Sequence, residues 1–200
     1  MSISPGFFWK VWLLWIFANT AGAAMGVAIT LATVYWLGID ADKTITLIVV
    51  AAIAASIGIS QWLIIRKYFP RAILWIAVSL AGAFLGVGAI AAITGISNST
   101  LGGGFVSKIM QAPFSLLLPL SLYGVSIGFT QWLFLRQFAL RASWWIFAST
   151  LGAALLGVAI GDSFGNIAGL VWVGTLPAIV TGIVLAGIVR LQPEDGFRVE

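Results

Sequence analysis

The sequence predicts an all-α integral membrane protein, with six transmembrane helices arranged as three parallel, pseudo-repeated hairpins. Composition is the first reason. The 200 residues are 61% hydrophobic and 8% charged, whereas soluble domains carry about 25% charged residues. Because so few charges cannot cover a surface in water, lipid is the expected solvent. The second reason is that short phrases recur along successive apolar segments.

Six runs are long enough to cross a bilayer, whose hydrocarbon core of about 30 Å takes roughly 20 helical residues. Only Lys10 interrupts one of them, and its long side chain can reach the interface. The predicted spans are Phe8–Leu37, Thr44–Ile65, Ala72–Gly95, Pro113–Leu135, Ala142–Gly161 and Gly169–Val189. Pro119 and Pro177 are predicted to break the fourth and sixth helices, because proline removes a backbone donor.

Helices one, three and five are predicted to be copies of one another. Each carries a Trp-Ile pair, then small residues, then a Gly-Ala pair. The matching stretches are "WIFANTAGAAMGVA" from Trp15, "WIAVSLAGAFLGVG" from Trp75 and "WIFASTLGAALLGVA" from Trp145.

Helices two and four are copies by a second phrase, "QWLIIR" from Gln61 and "QWLFLR" from Gln131. Helix six ends in "IVR" and has lost the Gln-Trp pair. The repeating unit is therefore a helical hairpin, used three times about an axis along the membrane normal. The hairpins cover approximately residues 8–66, 72–136 and 142–190 of a single membrane domain, 1–200.

Basic residues predict the orientation. One group lies near the two ends and in the connections between helices two and three and between helices four and five: Lys10, Arg66, Lys67, Arg71, Arg136, Arg141, Arg190 and Arg198. Only Lys43 and Lys108 fall on the other side. Because Lys and Arg concentrate in cytoplasmic loops, both termini are predicted to be cytoplasmic, in a bacterial cytoplasmic or thylakoid membrane. The outer loops are predicted at 38–43, 96–112 and 162–168.

The chain has no cysteine and no histidine. This excludes Cys/His ligation of haem, zinc or an iron–sulfur cluster, and it excludes Ser-His-Asp triads. Apart from Lys10, no ionisable residue lies deep in a predicted span, which disfavours proton-coupled transport. We therefore predict no catalytic residue, no metal site and no enzymatic activity. The net charge of +4 is interpreted as membrane orientation, so no nucleic-acid partner is expected.

A polar cluster is the candidate site. Gln61 and Gln131 lie about 7.5 Å inside their arginines at 1.5 Å per residue, near the predicted depth of Asn19, Ser79 and Ser149. One interpretation is hydrogen-bond glue between helices. The other is a site at which Gln61, Gln131 and Asn19 contact a cofactor, since a side-chain amide oxygen can ligate the magnesium of a chlorophyll-type pigment.

Two further patterns concern packing. Trp62 and Trp132 precede Arg66 and Arg136 by one helical turn, which predicts cation–π contacts. Glycines four residues apart are predicted packing seams, with the partner helix in this chain or in another: Gly22 and Gly26, Gly82 and Gly86, Gly124 and Gly128. Most tryptophans are expected at the margins of a tight helical core.

The paired "QWLxxR" phrases and the Trp-rich "RASWW" at 141–145 resemble a group of bacterial multi-pass membrane proteins of uncharacterised activity, many from photosynthetic lineages. The resemblance covers most of the chain, although helix six departs from the phrase. It implies a multi-pass membrane fold and no particular activity.

The predicted function is a non-enzymatic accessory or scaffold subunit of a larger membrane complex, with photosynthetic and respiratory complexes as candidates. Its ten tryptophans and small-residue faces suit packing against membrane lipids and other membrane subunits. Pigment, quinone and lipid are the candidate cofactors. The alternative function is a small-molecule transporter or its membrane substrate-binding subunit, with a site on the axis between the hairpins.

Overall fold

A computed structural model describes residues 5–37, 43–100, 116–160 and 167–190. Within these ranges the chain is all-helical, with six helices and no strand. In chain order they are α1 (Pro5–Leu37), α2 (Lys43–Ile65), α3 (Leu74–Thr100), α4 (Leu117–Leu135), α5 (Trp144–Ile160) and α6 (Ile167–Arg190). Five of the six are long and apolar enough to cross a membrane, and α5 is a shorter apolar helix.

The six predicted apolar runs correspond to these six helices, and most of their bounds differ by a few residues. Helix α3 continues beyond the predicted end at Gly95 to Thr100, because the polar stretch that follows contains no helix-breaking proline. Pro119 stands in the first turn of α4 rather than breaking it, a position where the missing N–H is no loss. Pro177 lies inside α6, which runs as one helix from Ile167 to Arg190, so the predicted break at Pro177 is wrong. Most of the predicted outer loops, at 38–42, 101–112 and 162–166, lies outside the described residues.

The helices form a closed ring. Each one packs against the helix before it and the helix after it, and α1 packs against α6. Where the glycines make close approaches, residue numbers rise along one helix and fall along its neighbour, as in Gly22 against Ile57 and Gly26 against Ile53. Neighbours in the ring are therefore antiparallel at these contacts.

The three glycine seams all face helices of this same chain. A Cβ at Gly26 would lie 2.6 Å from the Ile53 Cα of α2, and one at Gly124 would lie 2.6 Å from the Ser149 carbonyl oxygen of α5. Gly86 of α3 meets Tyr123 of α4 in the same way. These contacts are too short for any larger residue, so the seams hold the ring closed.

The outside of the ring is apolar. Large hydrophobic side chains are exposed along every described helix, including Phe17 on α1, Leu63 on α2, Leu85 on α3 and Phe147 on α5. Contiguous apolar surface of this extent is unusual on a protein surrounded by water. The largest fully buried side chains instead gather inside the ring, towards the end that carries the α2–α3 and α4–α5 turns: Val11, Trp15, Ile65, Trp75, Leu135, Trp145 and Leu185.

Candidate functional site

Three indoles fill the centre of the ring. Trp15, Trp75 and Trp145 have 0%, 0% and 1% of their surface exposed. Their ring centroids lie 5.6 to 6.3 Å apart in edge-to-face pairs, the geometry that aromatic quadrupoles favour. We call these three residues the tryptophan triad. The remaining seven tryptophans are half-buried or exposed, in agreement with the expectation that most tryptophans lie at the margins, and the triad is the exception to it.

Two triad members donate to the glutamines of the repeated phrase. The Trp75 Nε1–H donates to Gln61 Oε1 at 2.7 Å, and the Trp145 Nε1–H donates to Gln131 Oε1 at 2.9 Å. Both pairs are 14 residues apart in the chain and span a turn between helices. A buried indole N–H needs a partner, and the glutamine amide supplies it.

The other end of each amide reaches the preceding odd-numbered helix. The Gln61 Nε2–H donates to Asn19 Oδ1 at 2.7 Å, and the Gln131 Nε2–H donates to Ser79 Oγ at 2.9 Å. Asn19 in turn donates from Nδ2 to the carbonyl oxygen of Trp15 at 2.8 Å. The structure therefore confirms the predicted hydrogen bonds between helices at this depth.

The cofactor role of Gln61, Gln131 and Asn19 stays a prediction. Gln61 and Gln131 are buried, and each amide oxygen already accepts an indole N–H. Pigment ligation requires an amide oxygen with an open approach, and this geometry offers none at either glutamine. The residues present do not fit a magnesium pigment in the described arrangement.

The third member of the triad has a hydroxyl group as its hydrogen-bond acceptor instead of an amide. The Trp15 Nε1–H donates to Thr181 Oγ1 of α6 at 3.0 Å, and the Thr181 hydroxyl donates to the Pro177 carbonyl oxygen at 2.8 Å. No glutamine comes from α6. Ser149 Oγ is buried and is the one described side-chain atom in the protein interior that lacks a hydrogen-bond partner.

The sequence carried a signal for this difference. The stretches "GISQWLIIR" (58–66), "GFTQWLFLR" (128–136) and "GIVLAGIVR" (182–190) match from glycine to arginine. Each leading glycine packs on the next helix of the ring, Gly58 on α3, Gly128 on α5 and Gly182 on α1. In this register a leucine, Leu185, takes the place of the two glutamines, and it is fully buried.

The predicted cation–π contacts are confirmed. The Arg66 guanidinium carbon lies 5.0 Å from the Trp62 ring centroid, and Arg136 lies 5.0 Å from that of Trp132. Arg66 also lines an open surface depression of about 440 Å³ at the α2–α3 turn. This turn is the second feature of the molecule with the chemistry of a binding site.

Chemically, the interior suits packing more than reaction. Its described polar groups are amides, hydroxyls and indole N–H groups, which neither carry nor exchange protons readily near neutral pH. Among the described residues, no three carboxylate, imidazole or thiol groups converge on a metal position. Comparison with known protein families, curated proteins and solved structures finds no match.

Proposed function

We propose that the chain is a non-enzymatic integral membrane protein, built from three hairpin copies, that serves as an accessory or scaffold subunit of a larger membrane complex. One observation carries this proposal. The ring buries the triad indoles and the amides of Asn19, Gln61 and Gln131, and each of these groups is hydrogen-bonded inside the ring. Apolar side chains such as Phe17, 72% exposed, lie on the outside. The outer surface is therefore the part left to contact other molecules.

Hairpin repetition is supported by corresponding contacts. Gln61 joins α2 to Asn19 and Trp75, and Gln131 joins α4 to Ser79 and Trp145. These partners occupy matching places in the "WI" stretches from which the hairpins were inferred. A membrane location is supported by the five helices long enough to span a bilayer, with α5 of 17 residues at the short end of spanning lengths.

The triad also favours the scaffold role over the transporter alternative. A solute moving along the ring axis has to pass the level of Trp15, Trp75 and Trp145, whose rings contact each other on that axis. Opening this layer breaks three edge-to-face contacts, each worth about 0.5–1.5 kcal/mol, and three indole hydrogen bonds. An interior of this kind stabilises one closed arrangement.

Native electrophoresis tests the proposal. We expect the chain, extracted from its own membrane in a mild detergent, to migrate with at least one other subunit in fixed ratio. The same chain produced alone in another host is the reference for its own size. Uptake of a solute by vesicles that contain only the purified chain would reverse the ranking in favour of the transporter.

Bulky substitutions on the ring exterior locate the partner. A Cβ at Gly88 of α3 meets no atom within 4 Å, and Ala28 of α1 is exposed, so Gly88→Leu and Ala28→Leu leave the ring intact. We expect loss of the co-migrating subunit for the variant on the docking face and retention for the other. If substitutions on every exposed helix face leave a fixed-ratio complex unchanged, the scaffold proposal is wrong.

A further inference from the structure

The α2–α3 turn carries an open depression on the protein surface. Its depression of about 440 Å³ lies within the range of ligand pockets. The lining residues that matter here are Trp62, Arg66, Lys67, Tyr68, Arg71 and Ile73. A charged rim thus stands beside an apolar wall.

The rim is strongly basic. Arg66, Lys67 and Arg71 are all exposed, and they come from one short segment. The described part of the chain contains no Asp or Glu, so within it these three cations have no carboxylate to pair with. Three cations around one depression attract an anion, and Arg66 is held in place by stacking on Trp62.

Arg71 adds a second, independent observation. Its φ is +54°, and it is the one non-glycine residue with positive φ in the described ranges. This left-handed conformation costs about 1–2 kcal/mol for a residue with a side chain. Such strain persists where the surroundings impose it and is common at ligand sites. Arg71 is also one of the residues that line the depression.

The apolar wall identifies the kind of anion. Trp62 and Ile73 line the depression, and the exposed Leu63 and Leu74 flank the basic segment in the sequence. Tyr68 contributes a hydroxyl group, and its partial burial raises the pKa of the phenol, so it remains a neutral hydrogen-bond donor at physiological pH. A ligand with an anionic head and an apolar body matches both surfaces.

We propose that the α2–α3 turn binds the phosphate group of an anionic membrane phospholipid, with Arg66, Lys67 and Arg71 around the phosphate and Trp62 and Ile73 against the adjoining acyl chain. The inference rests on the proposed membrane location and is independent of the scaffold role. A polybasic segment at the cytoplasmic surface attracts anionic lipid in general. The depression and the held arginines convert that attraction into a site.

The α4–α5 turn provides an internal reference. Its arginines, Arg136 and Arg141, stand where Arg66 and Arg71 stand, but Gln137 replaces Lys67 and Phe138 replaces Tyr68. Arg141 has an ordinary negative φ. The second turn therefore lacks one cation, the hydroxyl group and the strained arginine, so we expect it to bind lipid more weakly.

Lipid titration of the purified full chain in a neutral detergent, read by native mass spectrometry, tests the site. The probes are phosphatidylglycerol, which is anionic, and phosphatidylcholine, which is zwitterionic. We expect the first phosphatidylglycerol to bind at least fivefold more tightly than phosphatidylcholine. Arg71→Asn and Lys67→Gln should each weaken phosphatidylglycerol binding about fivefold, which corresponds to about 1 kcal/mol per cation.

Arg141→Asn is the matched control, because it removes the same charge from the other turn and should change affinity less than twofold. Asparagine tolerates a left-handed backbone, so Arg71→Asn keeps the turn. Should Arg71→Asn fail to fold, Lys67→Gln, on an exposed side chain, gives the same reading. Equal losses for Arg71→Asn and Arg141→Asn would mean general surface charge and overturn the site.

Competition separates lipid from a soluble anion. Inorganic phosphate and glycerol phosphate at up to a hundredfold excess should not displace phosphatidylglycerol, because neither contacts the apolar wall. Displacement at equal concentration would assign the site to a free phosphate compound and overturn the lipid proposal. A chain that stays monodisperse without detergent would instead remove the membrane location on which the inference rests, an outcome distinct from either binding result.

Discussion

The two glutamine positions of the ring and the corresponding third position provide an acceptor for a buried indole N–H in different ways. All three bury an indole N–H at the centre. At Gln61 and Gln131 a single amide accepts from the indole and donates to the neighbouring odd-numbered helix. At the third position Leu185 fills the space, Thr181 accepts from Trp15, and Ser149 is left without a partner.

Each glutamine has two roles: its amide oxygen accepts the indole N–H, and its amide nitrogen donates to the neighbouring odd-numbered helix. An acceptor for the indole N–H is present at all three positions, since an unpaired buried donor costs about 1–3 kcal/mol. The hydrogen bond to the odd-numbered helix is the one that is missing at the third position. The comparison indicates that the polar groups are arranged around the tryptophan triad.

The largest expected effect comes from removing a triad indole. Trp145→Ala should lower the free energy of unfolding by about 3–5 kcal/mol, because it opens a cavity at the centre and leaves Gln131 Oε1 without its donor. Trp15→Ala should cost about 1 kcal/mol less, since the Thr181 hydroxyl keeps its bond to the Pro177 carbonyl oxygen. Reversible unfolding in mixed micelles measures both. Equal losses would mean that the two positions do not differ in the way described.

Gln131→Leu gives the second hairpin the leucine that the third hairpin has at the matching position. It should lower the free energy of unfolding by about 2 kcal/mol. It leaves the Trp145 N–H and the Ser79 hydroxyl unpaired, and bonds between membrane helices contribute about 0.6–2 kcal/mol each. Adding Ser79→Ala should recover part of the loss, because it removes one of the two unpaired groups. A double variant less stable than Gln131→Leu alone would contradict this account.

The converse substitution, Leu185→Gln, should be tolerated within about 1 kcal/mol, because the new amide lies between the Trp15 N–H and the Ser149 hydroxyl. A double-mutant cycle with Ser149→Ala isolates the new bond and should give a coupling of about 1 kcal/mol. As a control, Leu156→Gln introduces an amide at a buried leucine away from the triad, and it should be clearly destabilising. A coupling near zero would place Leu185 outside the register of the glutamines.

The smallest effect concerns the two serines. Ser149→Ala should leave the unfolding midpoint unchanged or raise it slightly, because it removes an unpaired buried hydroxyl. Ser79→Ala should lower the midpoint by an amount equivalent to about 1 kcal/mol, since Gln131 loses its acceptor. Thermal unfolding of both variants in one detergent makes the comparison direct. Matching shifts in the two variants would show that Ser149 has a partner.

The helices were predictable because a spanning helix leaves a long apolar run in the sequence. Depth predicted a set of candidate partners for Gln61 and Gln131, since 1.5 Å per residue fixes how far each group lies from its arginine. The assignment of Asn19 to Gln61 and of Ser79 to Gln131 came from the structure. The triad was not predictable. Tryptophan is typical of membrane interfaces, and its central position depends on ring closure, which no local pattern encodes.

Thr181 escaped prediction for a related reason. It lies one turn away from the position that matches the glutamines, and it reaches Trp15 only because α6 packs against α1. The seams show the opposite case, in which a local pattern sufficed for the existence of a contact and not for its partner. Gly26 predicted a close approach between two helices, but only the structure identifies Ile53 of α2 as the residue that it contacts.

The packing of α1 against α6 has a consequence for biosynthesis. Trp15 and Thr181 are 166 residues apart in the chain, so the first helix to be synthesised obtains this hydrogen-bond partner only when the last helix has been made. Until α6 is synthesised, the indole N–H groups of Trp12 and Trp15 lack the acceptors that α6 supplies, the Ile179 carbonyl oxygen and the Thr181 hydroxyl. The ring can therefore close only when the last helix is present, and a chain truncated before α6 would lack both of these hydrogen bonds.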